Sequence, residues 1–235
     1  MTAEGTFPDD GSTTAWRLLG HKSAGKISWP GIADEGWKVT MSVPGEDRKP
    51  TPDAEVLTAL LKLEAPDINI SAGAEVINFR DPECSRHTRF PGAAPFPGDP
   101  PGPQDDRVML AEATLVIPAD GTWHIGIAGD DLCALQIADQ KWERIVRDAS
   151  GRCAHVDGDT IYSRRTTLSS SQECIGEIKL ARGRYPLRAL SWDRNGTSTC
   201  QVFAAPAGYP ARLLAKSKAG EEEDQPGLTV LPFKP

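Results

Sequence analysis

Two aspartates in succession, Asp130-Asp131, directly follow Gly129 inside the otherwise apolar run GIAGDDLCAL. Paired carboxylates are the hard oxygen donors that Ca²⁺ prefers, and the ion takes about six to eight of them. Neighbouring side chains on an extended strand point to opposite faces, so both aspartates reach one ion only if the backbone turns sharply at the pair. Gly129 permits such a turn. The same pair equally suits a tight loop whose carboxylates cap exposed amides, and the residues alone leave both readings open.

Other acidic pairs are less suggestive. Asp157 and Asp159 flank Gly158 in HVDGD, and Asp105-Asp106 sits in a proline-rich stretch. Such short acidic loops read as solvated turns, since a calcium loop shows three or more spaced ligands. Asp157 and Asp159 become outer ligands to Asp130 and Asp131 only if the loops converge. Among the aromatics, Trp142 and Tyr162 lie between polar neighbours near strand ends, where a flat ring can stack on the apolar face of a sugar. Trp123 and Trp192, on regular strands, read as core.

Catalytic signatures are missing from the sequence. It contains no GxSxG elbow and no HExxH, and of the four histidines only His124 falls in a predicted strand, on its polar side. The five cysteines, at 84, 133, 153, 174 and 200, form no CxxC pair. A binding role is therefore favoured over an enzymatic one.

Composition narrows the partners. The 235 residues carry a net charge of −7, which gives no general attraction to nucleic acid or anionic lipid. Apolar runs are only a few residues long, far short of the roughly 20 needed for a spanning helix. Met1 to Asp10 carry neither a basic nor an apolar leader region, so no secretory signal is expected there, and the expectation is either a protein that stays inside or a piece of something longer.

The elements that must position these residues are mostly strands. With 22 Gly and 20 Pro the chain does not suit a helical bundle. Residues 1–36 read as a linker-like segment anchored by isolated tryptophans, and residues 37–235 as a single domain with its core in 107–205. Trp37, Val39, Met41 and Val43 alternate with polar residues as a first strand. Asp53 can cap one short covering helix in which Val56, Leu57, Leu60, Leu61 and Glu64 follow the three-four spacing of one stripe, and Pro66 stops it. A stretch dense in Pro and Gly before Asp106 predicts a strap over a surface.

Strands are predicted at 107–117, 122–128, 132–137, 142–146, 174–180, 185–192, 199–205 and 228–231, the last as a returning edge strand. Pro118–Gly121 and Asn195-Gly196 predict two antiparallel hairpins. The fold class is all-β, a β-sandwich or jelly roll.

The run AEATLVIPADGTWHIGIAGDDLCALQI, followed by GEIKLARGRYPLRALSWDRNGTSTCQVFAAPAG, resembles the protective-antigen-type (PA-fourteen) module of large bacterial surface proteins. The matching pieces are Pro118 to Gly121, Trp123, Asp130-Asp131, Leu135 to Ile137, Gly183 to Pro186 and Val202 to Ala205. The resemblance implies a β-sandwich in which paired aspartates, matched here by Asp130 and Asp131, hold calcium and through it a carbohydrate. Leu132 departs from the glycine common after the pair, and no Asn-rich ligand loop follows. The function implied is a non-catalytic carbohydrate-binding or adhesion module, calcium-dependent, of a secreted or cell-surface multidomain protein. A structural spacer, or an accessory module of a glycan-active hydrolase, is the alternative.

Overall fold

A computed structural model of the protein describes residues 4–6, 15–20, 25–27, 29–42, 68–82, 84, 89–98, 107–130, 132–148, 153–163, 172–193, 196–216, 223–225 and 228–231. The strands in chain order are β1 (Glu4–Thr6), β2 (Ala15–Gly20), β3 (Gly25–Ile27), β4 (Gly31–Ile32), β5 (Trp37–Ser42), β6 (Ile68–Ala74), β7 (Asn78–Arg80), β8 (Arg107–Ile117), β9 (Gly121–Gly129) and β10 (Leu132–Ile137). They continue as β11 (Arg144–Asp148), β12 (Cys153–Asp157), β13 (Thr160–Ser163), β14 (Gln172–Leu180), β15 (Gly183–Asp193), β16 (Thr199–Pro206), β17 (Arg212–Leu213), β18 (Glu223–Gln225) and β19 (Leu228–Leu231). The expected helix over residues 53–65 lies outside the described residues.

Two antiparallel sheets pack face to face. One, of eight strands, runs β12-β13-β10-β15-β8-β5-β6, with β4 also paired to β8; the other, of six, runs β11-β14-β9-β16-β17, with β7 paired to β16. Alternation explains the packing. Met109, Ala111, Leu115 and Ile117 of β8 and Cys133, Leu135 and Ile137 of β10 face Trp123, Ile125 and Ile127 of β9 and Val202 and Ala204 of β16 in one core. The intervening residues of the eight-stranded sheet form a second buried cluster on its opposite face, including Val108, Leu110, Leu190 and Trp192. That is why the start of β8 reads as a continuous apolar run rather than an alternating one.

The turn chemistry was right about reversal and wrong about pairing. Pro118–Gly121 joins β8 to β9, and Asn195-Gly196 lies between β15 and β16, yet each connection carries the chain from one sheet to the other. Both predicted hairpins are therefore sheet-to-sheet crossings. A turn residue sets local φ and ψ, as at Gly196 with φ of 88°, but the strand partner is decided by which face is buried.

Regular structure also extends into residues 1–36. β2 pairs with β1 and with β19, β3 pairs with β18, and β4 joins the sandwich beside β8. Polar, Gly-rich composition does not bar a strand when a distant segment supplies the hydrogen bonds. β19 does return as an edge strand, but of this small three-stranded sheet and not of the sandwich.

Candidate functional site

Asp130 stands where the chain changes sheets. β9 belongs to the six-stranded sheet and β10 to the eight-stranded one, and only residues 130 and 131 join them. The chain bends at Asp130, off both strands, as it crosses. Gly129 allows it by close approach: a Cβ there would stand 3.0 Å from the Cβ of Cys133. Asp130 is only 3% exposed, and its backbone is fixed on both sides, the N–H donating to Thr199 O (3.2 Å) and the carbonyl accepting from Ser198 Oγ (2.8 Å). Asp131 lies outside the described residues.

A buried polar cluster surrounds this turn. Asp81, Arg107, Asp193 and Ser198 are all at most 5% exposed. Arg107 Nη2 donates to Asp81 Oδ1 at 2.7 Å and lies 3.9 Å from Asp193 Oδ2, its guanidinium resting 4.3 Å from the centre of the Phe96 ring. The second oxygen of Asp81 accepts from the Ser198 N–H. Arg107 and Asp193 are direct cross-strand partners, so their charges meet by register, and burial is tolerable because they are paired.

The other predicted site residues lie elsewhere. Asp159 follows the far end of β10, where its carbonyl accepts from the Ile137 N–H at 3.0 Å. Leu132 to Ile137 spans roughly 16 Å at strand rise, so Asp159 does not converge on Asp130. Its carboxylate accepts instead from Gln136 Nε2 (3.2 Å) and Thr160 Oγ1 (2.9 Å), fixing the turn between β12 and β13. Asp157 ends β12 opposite Thr160, at this same far end, and its side chain lies outside the described residues. Asp105 and Asp106 also fall outside them.

Trp142 is a core residue, not an exposed stacking ring. It is 2% exposed, its indole N–H donates to Asp159 O at 2.8 Å, and its ring lies over Gly176, where a Cβ would come within 2.4 Å. Polar neighbours suggested exposure, but Gly176 on the neighbouring strand β14 leaves a slot that the indole fills. Tyr162, 6% exposed, belongs to the second apolar cluster beside Leu190 and Trp192. The structure thus brings Trp142 and Asp159 together and leaves Asp130 apart from both.

On the outer face of the six-stranded sheet, His124 Nε2 stands 3.0 Å from Glu177 Oε2, and Arg144 grips the same carboxylate through two bonds of 2.9 Å. The Arg144 hydrogen bonds hold the Glu177 carboxyl down at about 2. In the core, burial pushes the Cys200 thiol up to about 12.

No family model and no curated protein matches the chain. Among solved structures it is similar to a PA14 sugar-binding domain from an RTX adhesin (11% identity, covering 79% of this chain and 100% of that one, TM-score 0.46). It is similar also to the Epithelial Adhesin 9 A domain from Candida glabrata in complex with Galb1-3GlcNAc (14%, 83% and 99%, 0.46). An anti-sigma factor domain-containing protein from Clostridium clariflavum is a further similar structure (13% identity, 84% of this chain, TM-score 0.44), and the chain spans about half, 51%, of its length.

The donor chemistry at Asp130 is oxygen only, which suits a hard cation and not zinc or copper. Among the described residues no group of three or more His, Cys, Asp or Glu side chains is placed to hold a metal ion. Sequence reading missed Asp81, Arg107, Asp193 and Ser198. The only available signal was charge in an apolar setting, Arg107 before Val108 and Asp193 after Trp192.

Proposed function

We propose that this protein is a non-catalytic carbohydrate-binding or adhesion module of a secreted or cell-surface protein, with calcium held at the turn of Asp130 and Asp131. The observation that supports this reading is that Asp130 stands off both strands, where the chain passes from the six-stranded sheet to the eight-stranded one. Their two charges balance the ion, and calcium, when bound, offers remaining coordination positions to a sugar diol in place of water. Protein residues then do the holding and orienting: Ser198 and Thr199 fix the backbone of Asp130, and burial of the turn keeps bulk water from one side.

Calcium titration of wild type and Asp130→Asn by calorimetry, followed by a glycan array with and without EDTA, tests the reading. The expected outcome is saturable wild-type binding at millimolar calcium or below, a rise in melting temperature with the ion, and loss of both in Asp130→Asn. Wild-type protein that shows neither binding heat nor a calcium-dependent melting shift would leave the structural spacer as the better reading.

A further inference from the structure

We infer that Asp81 and Ser198 are positioning residues that set the geometry of the Asp130 turn through a buried hydrogen-bond relay anchored on Arg107. The functional part of this inference rests on the reading of that turn as the calcium site. Asp130 belongs to neither adjoining strand, so a sheet ladder does not by itself satisfy its buried backbone groups. The N–H is met by Thr199 O, and the carbonyl by Ser198 Oγ at 2.8 Å. Ser198 therefore controls the direction of the peptide that leads from Asp130 into the crossing.

Ser198 itself lies outside any strand and is held by a two-point clamp. Its N–H donates to Asp81 Oδ2, and its carbonyl accepts from the Asp81 N–H at 3.0 Å. Asp81 is held in turn by Arg107 Nη2 at Oδ1, 2.7 Å, and its carbonyl accepts the Cys84 N–H at 2.9 Å. The chain of contacts runs Arg107 to Asp81 to Ser198 to Asp130, and each of the four residues is at most 5% exposed. It joins four segments that are far apart in sequence.

The chemistry calls for an aspartate at 81. Each of its two oxygens accepts from a different donor, the guanidinium at one and the Ser198 amide at the other. Asparagine has a single acceptor oxygen and would turn an NH₂ group toward one of those donors. Arg107 donates to one oxygen and the Ser198 amide to the other, and a carboxylate is a stronger acceptor for that amide than a neutral amide oxygen. A merely structural ion pair would not need its second oxygen committed to the residue that holds Asp130.

Wild type, Ser198→Ala and Asp81→Asn separate these roles through three measurements: melting in EDTA, backbone amide exchange of peptides covering 129–131 and 196–200, and calcium affinity by calorimetry. Ser198→Ala should stay folded, with exchange at the Asp130 turn accelerated about tenfold while the β8 and β15 peptides keep wild-type rates. Calcium affinity should fall about 10- to 100-fold, the usual cost of losing a partner that orients a ligand. Asp81→Asn should move in the same direction and further, and if it does not fold, Ser198→Ala decides alone. Wild-type exchange at the turn together with wild-type calcium affinity in folded Ser198→Ala would overturn the relay. Faster exchange in the variants, in a protein whose wild type binds no calcium, would support the relay and sink the calcium reading.

Discussion

Replacing Gly176 by alanine tests whether Trp142 is a plug between the sheets. A Cβ on Gly176 would stand 2.4 Å from Trp142 Cε3, 2.6 Å from Cζ3 and 3.2 Å from Ile161 Cδ1. Ordinary carbon contacts lie at about 3.5–4.0 Å, so the overlap with the ring exceeds about 1 Å. The indole has little room to retreat, because its N–H is bound to Asp159 O at 2.8 Å and Ile161 comes from the opposite sheet. Overpacking of this kind costs about 1–3 kcal/mol, and rigid surroundings put this case near 3. Alanine recovers about 0.4–1 kcal/mol by restricting the unfolded chain, which leaves a net loss of about 2 kcal/mol. For a chain of this length that is a fall of roughly 4–8 °C in melting temperature. Urea and thermal unfolding give the stability, and near-UV circular dichroism reports the tryptophan environment. A variant that melts at or above wild type with an unchanged near-UV spectrum would refute the packing described for Trp142.

Glu177 predicts an acid limb in the stability curve. Its folded pKa, about 2, is below the ordinary 4.5, so its contribution is full above 4.5 and is lost as pH falls from there toward 2. Glu177→Gln should flatten that part of the profile in urea titrations at stepped pH, and an unchanged slope would count against the Arg144 and His124 contacts. Cys200, fully buried with its thiol pushed up to about 12, should resist alkylation at pH 8 in the native protein and react readily in denaturant. Mass spectrometry of the labelled peptides would read it, and rapid native labelling would contradict the burial.

Strand positions were largely legible because period-two alternation is a local pattern. Trp123, Ile125 and Ile127 predict an inward face of β9, and the structure places all three in the core. β12 and β13 were not foreseen, since HVDGD reads as an acidic loop, while the structure makes Gly158 and Asp159 the turn of a short hairpin. The Asp130 turn was visible as a glycine before two carboxylates in an apolar run. What surrounds it was not, because Asp81, Arg107, Asp193 and Ser198 meet only after the strands take their register.

The sequence by itself determined the all-β class, the extent of β8 and β10 and the place where the chain must bend at Asp130. These follow from nearest neighbours: alternation, turn residues and the conformational freedom of glycine act over a few positions. Only the tertiary structure decided which sheet each strand joins, why Trp142 and Tyr162 are buried, and which groups hold Asp130. Those outcomes depend on contacts between residues far apart in the chain, as between Arg107 and Asp81 or Trp142 and Gly176. A polar flank around an aromatic ring describes its neighbours in sequence, whereas burial is set by the glycine on which the ring packs.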